Sequence, residues 1–188
     1  MQPALREDRL YTYADYASWD DDIRRELIDG KVYLMAPAPA ETHQDISGEM
    51  HRQLANFLLD KPCKVFHAPF DVCLHADGDD DYTVVQPDLL VVCDREKLDG
   101  KRCNGAPDFI VEILSPSTAS KDLIFKYNKY MSAGVREYWI VDPVDKVVRA
   151  CILKDGKYES IDYLNPDIIA VQVLEGCEID TKRVFSEQ

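Results

Sequence analysis

The sequence has no apolar run approaching the ~18 residues of a transmembrane helix. Its first residues, MQPALREDRLYTYADY, lack the apolar core of a signal peptide, so we expect no export and no membrane partner, and predict a cytoplasmic location. Only 8 glycines occur, and none forms a phosphate-binding loop, which disfavours an NTPase or Rossmann enzyme. Basic residues are scarce, 22 against 35 acidic, and the net charge of −13 is unusual for a binder of polyanions.

Paired cysteines are also missing. The 6 cysteines form no CxxC motif, which disfavours a structural zinc site. Several stand in apolar runs, such as Cys93 in LLVVC and Cys151 in VVRACIL. The sequence therefore predicts buried free thiols, as expected in a reducing compartment.

What is present indicates one folded domain. The 188 residues are 46% hydrophobic and 30% charged, a composition typical of globular proteins, and we place the core at about residues 11–185. Apolar periodicity predicts helices at 12–22, 41–59 and 121–131. It predicts strands at 64–67, 70–75, 88–93, 108–114 and 137–141, with hairpins at 25–35 and 147–161. The sum is an α/β (α+β) fold: a central mixed sheet flanked by helices, with hairpins near both ends.

Two carboxylates interrupt the apolar strands. Glu112 lies within FIVEIL, and Asp88 opens DLLVV directly after Pro87. Burying an unpaired carboxylate costs several kcal/mol, so each needs a cation or a water-exposed edge. Carboxylates on adjacent strands are suitable ligands for Mg²⁺. The alternative is that both are ordinary edge residues in ion pairs or turns.

A third element follows on the next helix, where Asp122, Lys126 and Tyr130 are spaced by four and share one face. Lys126 is placed to return toward the carboxylates and stabilise charge on a phosphate. The alternative is a solvated pair with Asp122. Glu26, before the Asp29-Gly30 turn, is a further candidate ligand, and His43 opens the long helix as a capping, core or auxiliary residue.

These motifs resemble the Uma family of restriction-endonuclease-like proteins, abundant in cyanobacteria and long catalogued as a domain of unknown function. The resemblance runs in order from about residue 11 to 185. It is carried by ELIDG, PDL, EILSPS, the Asp122-x-x-x-Lys126-Tyr127 pattern and EYWIVDP. The family belongs to the PD-(D/E)XK superfamily, which implies a restriction-endonuclease-like fold and Mg²⁺- or Mn²⁺-dependent hydrolysis of DNA phosphodiester bonds.

The resemblance also implies roles for single residues. Asp88 matches the central metal ligand, Glu112 the second acid and Glu26 an upstream acid that completes the metal site. The lysine expected two residues after Glu112 is replaced by Leu114, which makes Lys126 the candidate for a displaced lysine. His43 and Asp122 are auxiliary candidates. Dimerisation is an expectation from double-strand cutters of the superfamily.

Two other function classes stay open. Leu114 motivates a nuclease-fold protein that no longer cleaves and serves as a nucleic-acid-binding or interaction module. The other is a structural domain in a mobile-element system. DNA remains a candidate partner, because residues 95–136 carry 8 basic and 5 acidic side chains although the chain as a whole is acidic. We predict poor retention on DNA without Mg²⁺ and better retention with it.

Overall fold

The structure is a computed structural model that describes residue 6 and residues 8–35, 40–115 and 121–186, with backbone only for 121–124. Within these residues it contains two mixed sheets, a separate two-stranded sheet and four α-helices. The helices are α1 (Tyr13–Ala17), α2 (Glu41–Phe57), α3 (Lys121–Ala133) and α4 (Thr181–Val184). The strands are β1 (Arg25–Ile28), β2 (Lys31–Leu34), β3 (Lys64–His67), β4 (Asp71–Cys73), β5 (Val84–Val85), β6 (Leu89–Val92), β7 (Arg102–Asn104), β8 (Phe109–Ile113), β9 (Glu137–Asp142), β10 (Val147–Lys154), β11 (Lys157–Leu164), β12 (Ile168–Val171) and β13 (Cys177–Asp180).

The larger sheet has the order β11-β10-β9-β8-β6-β3, with β8 and β9 parallel and the other pairs antiparallel. Strands β6 and β8 are buried along their whole length, as their continuous apolar runs predict. One face packs against α2, the β12–β13 hairpin and α4. The other packs against α3 and part of the second sheet. The predicted central mixed sheet flanked by helices is confirmed.

Local signals explain the element boundaries. Thr12 and Asp15 form a capping box at the start of α1, which ends earlier than predicted. Asp29 and Gly30 both have positive φ, as the tight turn between β1 and β2 requires. Gly134, with φ of 90°, follows the end of α3.

The second sheet was not predicted. It has the order β2-β1-β5-β4-β7 and is built from strands of two to four residues. The chain after β11 was predicted only as mixed structure, yet it forms the β12–β13 hairpin and α4. The second sheet depends on pairing between distant segments, and the strands of the β12–β13 hairpin have only four residues each, so both leave little local pattern.

The cysteine prediction is wrong for two of the six residues. Cys63 and Cys93 form a disulfide with a sequence separation of 30. The antiparallel register of β3 and β6, in which Lys64 lies opposite Val92, places the two sulfurs together. Cys73, Cys103, Cys151 and Cys177 are buried free thiols, as expected. Among the described helices, none combines the length and apolar character needed to cross a bilayer.

Candidate active site

Asp88 and Glu112 meet where β6 and β8 lie side by side. The antiparallel register pairs Leu89 with Val111, so Asp88 and Glu112 occupy the next opposed positions. The Ile113 amide donates to Asp88 Oδ2 at 2.8 Å, which fixes that carboxylate against β8. Glu112 is 8% exposed. The two acids that interrupt apolar strands therefore stand at one position of the sheet.

Helix α3 brings two donors onto the Glu112 carboxylate. Lys126 Nζ lies 3.0 Å from Glu112 Oε1, and the Tyr130 hydroxyl donates to the same oxygen at 2.6 Å. Lys126 and Tyr130 are one helical turn apart and therefore share a face. Tyr130 is fully buried, and Lys126 is 8% exposed. The pair holds Glu112 Oε1 and leaves Oε2 without a hydrogen bond from the described residues.

Glu26 reaches the same cluster from the second sheet. Its Oε1 lies 2.9 Å from Lys126 Nζ, so the ammonium bridges Glu26 and Glu112. The Gln86 amide donates to the same oxygen at 2.8 Å. Strand β1 is buried along its length, and the glutamate is 7% exposed. The packing of the two sheets, rather than any local pattern, brings Glu26 to Lys126.

His43 completes the cluster from the first turn of α2. Its Nε2 lies 3.2 Å from Asp88 Oδ2, the oxygen that also accepts from Ile113. His43 Nδ1 is buried and has no hydrogen-bond partner among the described residues. The structure thus brings together five of the six predicted site residues, counting His43 among them. The sixth, Asp122, has its side chain outside the described part.

The electrostatics of the cluster are governed by burial. Burial raises the pKa of Glu112 to about 7, which Lys126 opposes and the charges of Asp88 and Glu26 reinforce. Burial acts to lower the pKa of Lys126, but Glu112 and Glu26 outweigh it and raise that pKa. Lys126 is therefore a cation at neutral pH. This disfavours a role as a base and is compatible with the expected stabilisation of charge on a phosphate.

His43 and Tyr130 also have shifted pKa values. Burial lowers the pKa of His43, but the hydrogen bond and charge of Asp88 outweigh it and raise the value overall. Burial, followed by the charge of Glu112, raises the pKa of Tyr130. The Tyr130 hydroxyl thus stays neutral and acts as a donor. Imidazole, ammonium and phenol all support carboxylates in this cluster.

Sequence reasoning missed the contribution of two residues. Tyr130 was placed on the Lys126 face without a role, although its spacing of four from Lys126 was the available signal. Gln86 precedes Pro87-Asp88 and gave no signal. Its backbone amide donates a hydrogen bond to Glu26 Oε1, and its side-chain amide donates one to Asp71 Oδ1 at 2.8 Å.

The donor set suits a divalent cation better than it suits Lys126 alone. Two carboxylates share one ammonium, Asp88 stands opposite Glu112, and Glu112 Oε2 and Asp88 Oδ1 receive no hydrogen bond from the described residues. Hard oxygen ligands with excess negative charge are what Mg²⁺ and Mn²⁺ prefer. In the described part of the chain, no three histidine, cysteine or acidic side chains are already grouped as a metal site. The residues fit the cation in chemistry, with Lys126 inserted between two of them.

Two comparisons with known sequences give matches. The sequence model of the Uma2 family, described as "Putative restriction endonuclease", matches residues 13–182. An uncharacterized protein of Synechocystis sp. is 28% identical over 118 residues, which cover 62% of this chain and 60% of that protein.

A solved structure shares the fold. The crystal structure of a putative nuclease belonging to DUF820 from Anabaena variabilis superposes with a TM-score of 0.73 at 20% identity. The match covers 93% of this chain and 97% of that one. At this identity the likeness establishes a common fold and says nothing further about activity.

Proposed function

Since this chain belongs to the Uma2 family of restriction-endonuclease-like proteins, we propose that it is a divalent-metal-dependent endonuclease that hydrolyses phosphodiester bonds of DNA. The observation that carries the proposal is the buried convergence of Glu26 and Glu112 on Lys126, beside Asp88. Charged side chains buried in a core sheet reduce the stability of the fold, and places where they occur are commonly functional sites. A cytoplasmic location and a homodimer are further parts of the proposal.

Asp88, Glu112 and Glu26 are the residues that would hold Mg²⁺ or Mn²⁺. When bound, such a cation lowers the pKa of an attacking water and offsets charge on the phosphate. Lys126 donates hydrogen bonds as a permanent cation, and in the complex its ammonium stabilises charge developing on the phosphate oxygens. Tyr130 and His43 hold the carboxylates of Glu112 and Asp88 in place, as outer partners commonly do around metal ligands.

The direct test is cleavage of a supercoiled plasmid with Mg²⁺ or Mn²⁺. The variant Asp88→Asn keeps the shape of the side chain and removes the charge that would bind the cation. Asp162→Asn is the matched control. Asp162 lies on the largely exposed strand β11, where it pairs with Arg149 of the neighbouring strand β10. We expect wild type and Asp162→Asn to nick the plasmid and Asp88→Asn to lose the activity. Equal products from all three proteins would reject the proposal.

A second candidate function is a binding module of the same fold that does not cleave. Leu114 favours it, since the amide of this residue donates to Val141 and continues the strand where the superfamily motif has its lysine. A gel-shift assay separates the two functions. DNA binding that persists in Glu112→Gln, with no cleavage by wild type under any divalent cation tested, would support the binding module.

A further inference from the structure

A cavity of about 810 Å³ lies beside the candidate active site. Its lining includes Tyr13 and Tyr16 of α1, and also Asp71 of β4 and Arg102 of β7, which contact these two side chains. The described lining residues do not include the acids or the lysine of the cluster. This volume is typical of sites for small organic groups. The cavity is therefore a separate space whose walls must be explained by a different ligand group.

Asp71 presents an open hydrogen-bond acceptor to this cavity. Its Oδ1 accepts from the Tyr16 hydroxyl at 3.0 Å and from Gln86 Nε2 at 2.8 Å. No described residue donates a hydrogen bond to Oδ2. Two donors thus occupy one oxygen of the carboxylate and leave the other as an open acceptor. The ligand must supply an N–H or O–H group at this position.

The lining also includes a guanidinium stacked on an aromatic ring. The Arg102 guanidinium lies over the Tyr13 ring, 3.8 Å from its centroid. Asp79 and Asp99 hold it at 2.9 and 3.1 Å, and it is 8% exposed. Its Nη1 is buried and lacks a hydrogen-bond partner among the described residues. Tyrosine rings and guanidinium planes are the surfaces on which unpaired nucleobases stack.

The charge of the lining selects against a phosphate. Carboxylates outnumber cations, because Asp71, Asp79 and Asp99 face only Lys101 and Arg102. Arg102 is already paired with two of these acids. A phosphate would meet repulsion here, whereas a neutral planar heterocycle with amino donors would not. The chemistry is that of a base rather than of a nucleic-acid backbone.

One residue connects this cavity with the candidate active site. The Gln86 amide donates to Glu26, and its side chain donates to Asp71. A phosphate at the carboxylate cluster and a base in the cavity would thus both lie next to contacts of Gln86.

We propose that the cavity binds an unpaired nucleobase whose exocyclic amino group donates to Asp71 Oδ2, as in cytosine. Uracil suits the position less well, because its single Watson–Crick donor lies between two carbonyl oxygens that would face the carboxylate. As a subsite for a nucleotide next to the cleaved bond, the inference rests on the proposed nuclease function. Its chemistry is that of a base taken out of the stack.

The experiment uses cytidine and uridine, which carry no phosphate, titrated into the full chain with a chelator present. Trp19 reports binding by fluorescence, because its ring lies 5.9 Å from that of Tyr16. The other tryptophan, Trp139, is fully buried in the core. We expect cytidine to bind about tenfold more tightly than uridine, as a hydrogen bond to a charged group would give.

Asp71→Asn sharpens the test. Tyr16 and Gln86 hold the amide oxygen in place of Oδ1, so the open atom becomes a donating nitrogen. The preference should then reverse toward uridine, while the control Asp162→Asn keeps the preference for cytidine. Absence of saturable binding, equal affinity for the two nucleosides, or an unchanged ratio in Asp71→Asn would each overturn the inference.

The two proposals fail separately. Cytidine binding by a chain that does not cleave the plasmid would reject the nuclease and keep the base site. Cleavage by a chain without cytidine binding would reject the base site and keep the nuclease.

Discussion

Lys126→Met tests the electrostatic argument for the site through stability. Lys126 is the cation between Glu26 and Glu112, which are 7% and 8% exposed. Methionine has a similar length and retains the apolar part of the side chain. The substitution therefore removes one charge with little change in packing and leaves two buried carboxylates without that partner.

The expected loss is large. Removing one partner of a buried ion pair costs roughly 3–5 kcal/mol, because the remaining charge is left uncompensated. For a chain of this size that corresponds to a fall in Tm of about 10 °C. Lys154→Met is the matched control. Lys154 forms an exposed pair with Glu159, and we expect a change of less than about 1 kcal/mol.

The stability loss of Lys126→Met should depend on pH, and the pKa of Glu112 sets the direction of that dependence. The pKa of folded Glu112, about 7, lies above its ordinary value of 4.5. Its contribution to stability is thus fully present below about pH 4.5 and is lost as the pH rises through about 7. Without Lys126 the folded pKa rises further. The deficit of Lys126→Met should therefore be small near pH 5 and largest near pH 8.

Thermal unfolding followed by circular dichroism at the two pH values measures the effect, with and without Mn²⁺. Added Mn²⁺ should restore part of the Tm of Lys126→Met at pH 8, because the cation compensates the same carboxylates. A variant as stable as wild type at pH 8, or a deficit of equal size at both pH values, would refute the reasoning.

Three further predictions concern Tyr130, Glu137 and the disulfide. Tyr130→Phe removes the 2.6 Å hydrogen bond to Glu112 and should weaken Mn²⁺ binding about tenfold in calorimetric titration; unchanged affinity would show that Tyr130 does not position the ligand. Glu137→Gln should lower the free energy of unfolding in urea by about 2 kcal/mol. The two carboxylate oxygens of buried Glu137 accept from Trp139 Nε1 and from the Val173 backbone amide, and a glutamine side chain has only one accepting oxygen. An unfolding midpoint equal to that of wild type would contradict this. Cys63→Ser opens a loop that the disulfide closes over a separation of 30 residues, and it should lower the free energy of unfolding by about 3 kcal/mol. A reductant should lower the Tm of wild type but not that of the variant. Equal sensitivity of the two proteins to the reductant would argue against the disulfide.

Several elements were predictable because their signals are local. The Asp29-Gly30 turn, the continuous apolar runs of β6 and β8, and Gly134 after α3 each reflect backbone conformation within a few residues. The strand β12 shows the limit of this approach. Its alternation of exposed and buried residues is regular but covers only Ile168–Val171, which is too short to distinguish it from chance.

The candidate site likewise has features that local sequence patterns indicate and features that depend on strand register and sheet packing. The presence of Asp88 and Glu112 inside apolar strands was visible in the sequence, because a charge in such a run needs an explanation. Their opposed positions depend on the register of β6 and β8. The approach of Glu26 depends on how the second sheet packs against the first, and the partner of Cys63 depends on the register of β3 and β6.

Local patterns in the sequence indicate the longer helices and the central strands, their order, and the residues whose burial would be costly. Hydrophobic periodicity and turn chemistry act over one or two turns of chain, so a single sequence carries them in full. Three contacts have no local pattern that indicates them: Glu26 and Glu112 share Lys126, Tyr130 supports Glu112, and Gln86 connects Glu26 with Asp71. Those contacts join residues 14 to 100 positions apart, and strand register and sheet packing set them through many weak interactions without any local signature.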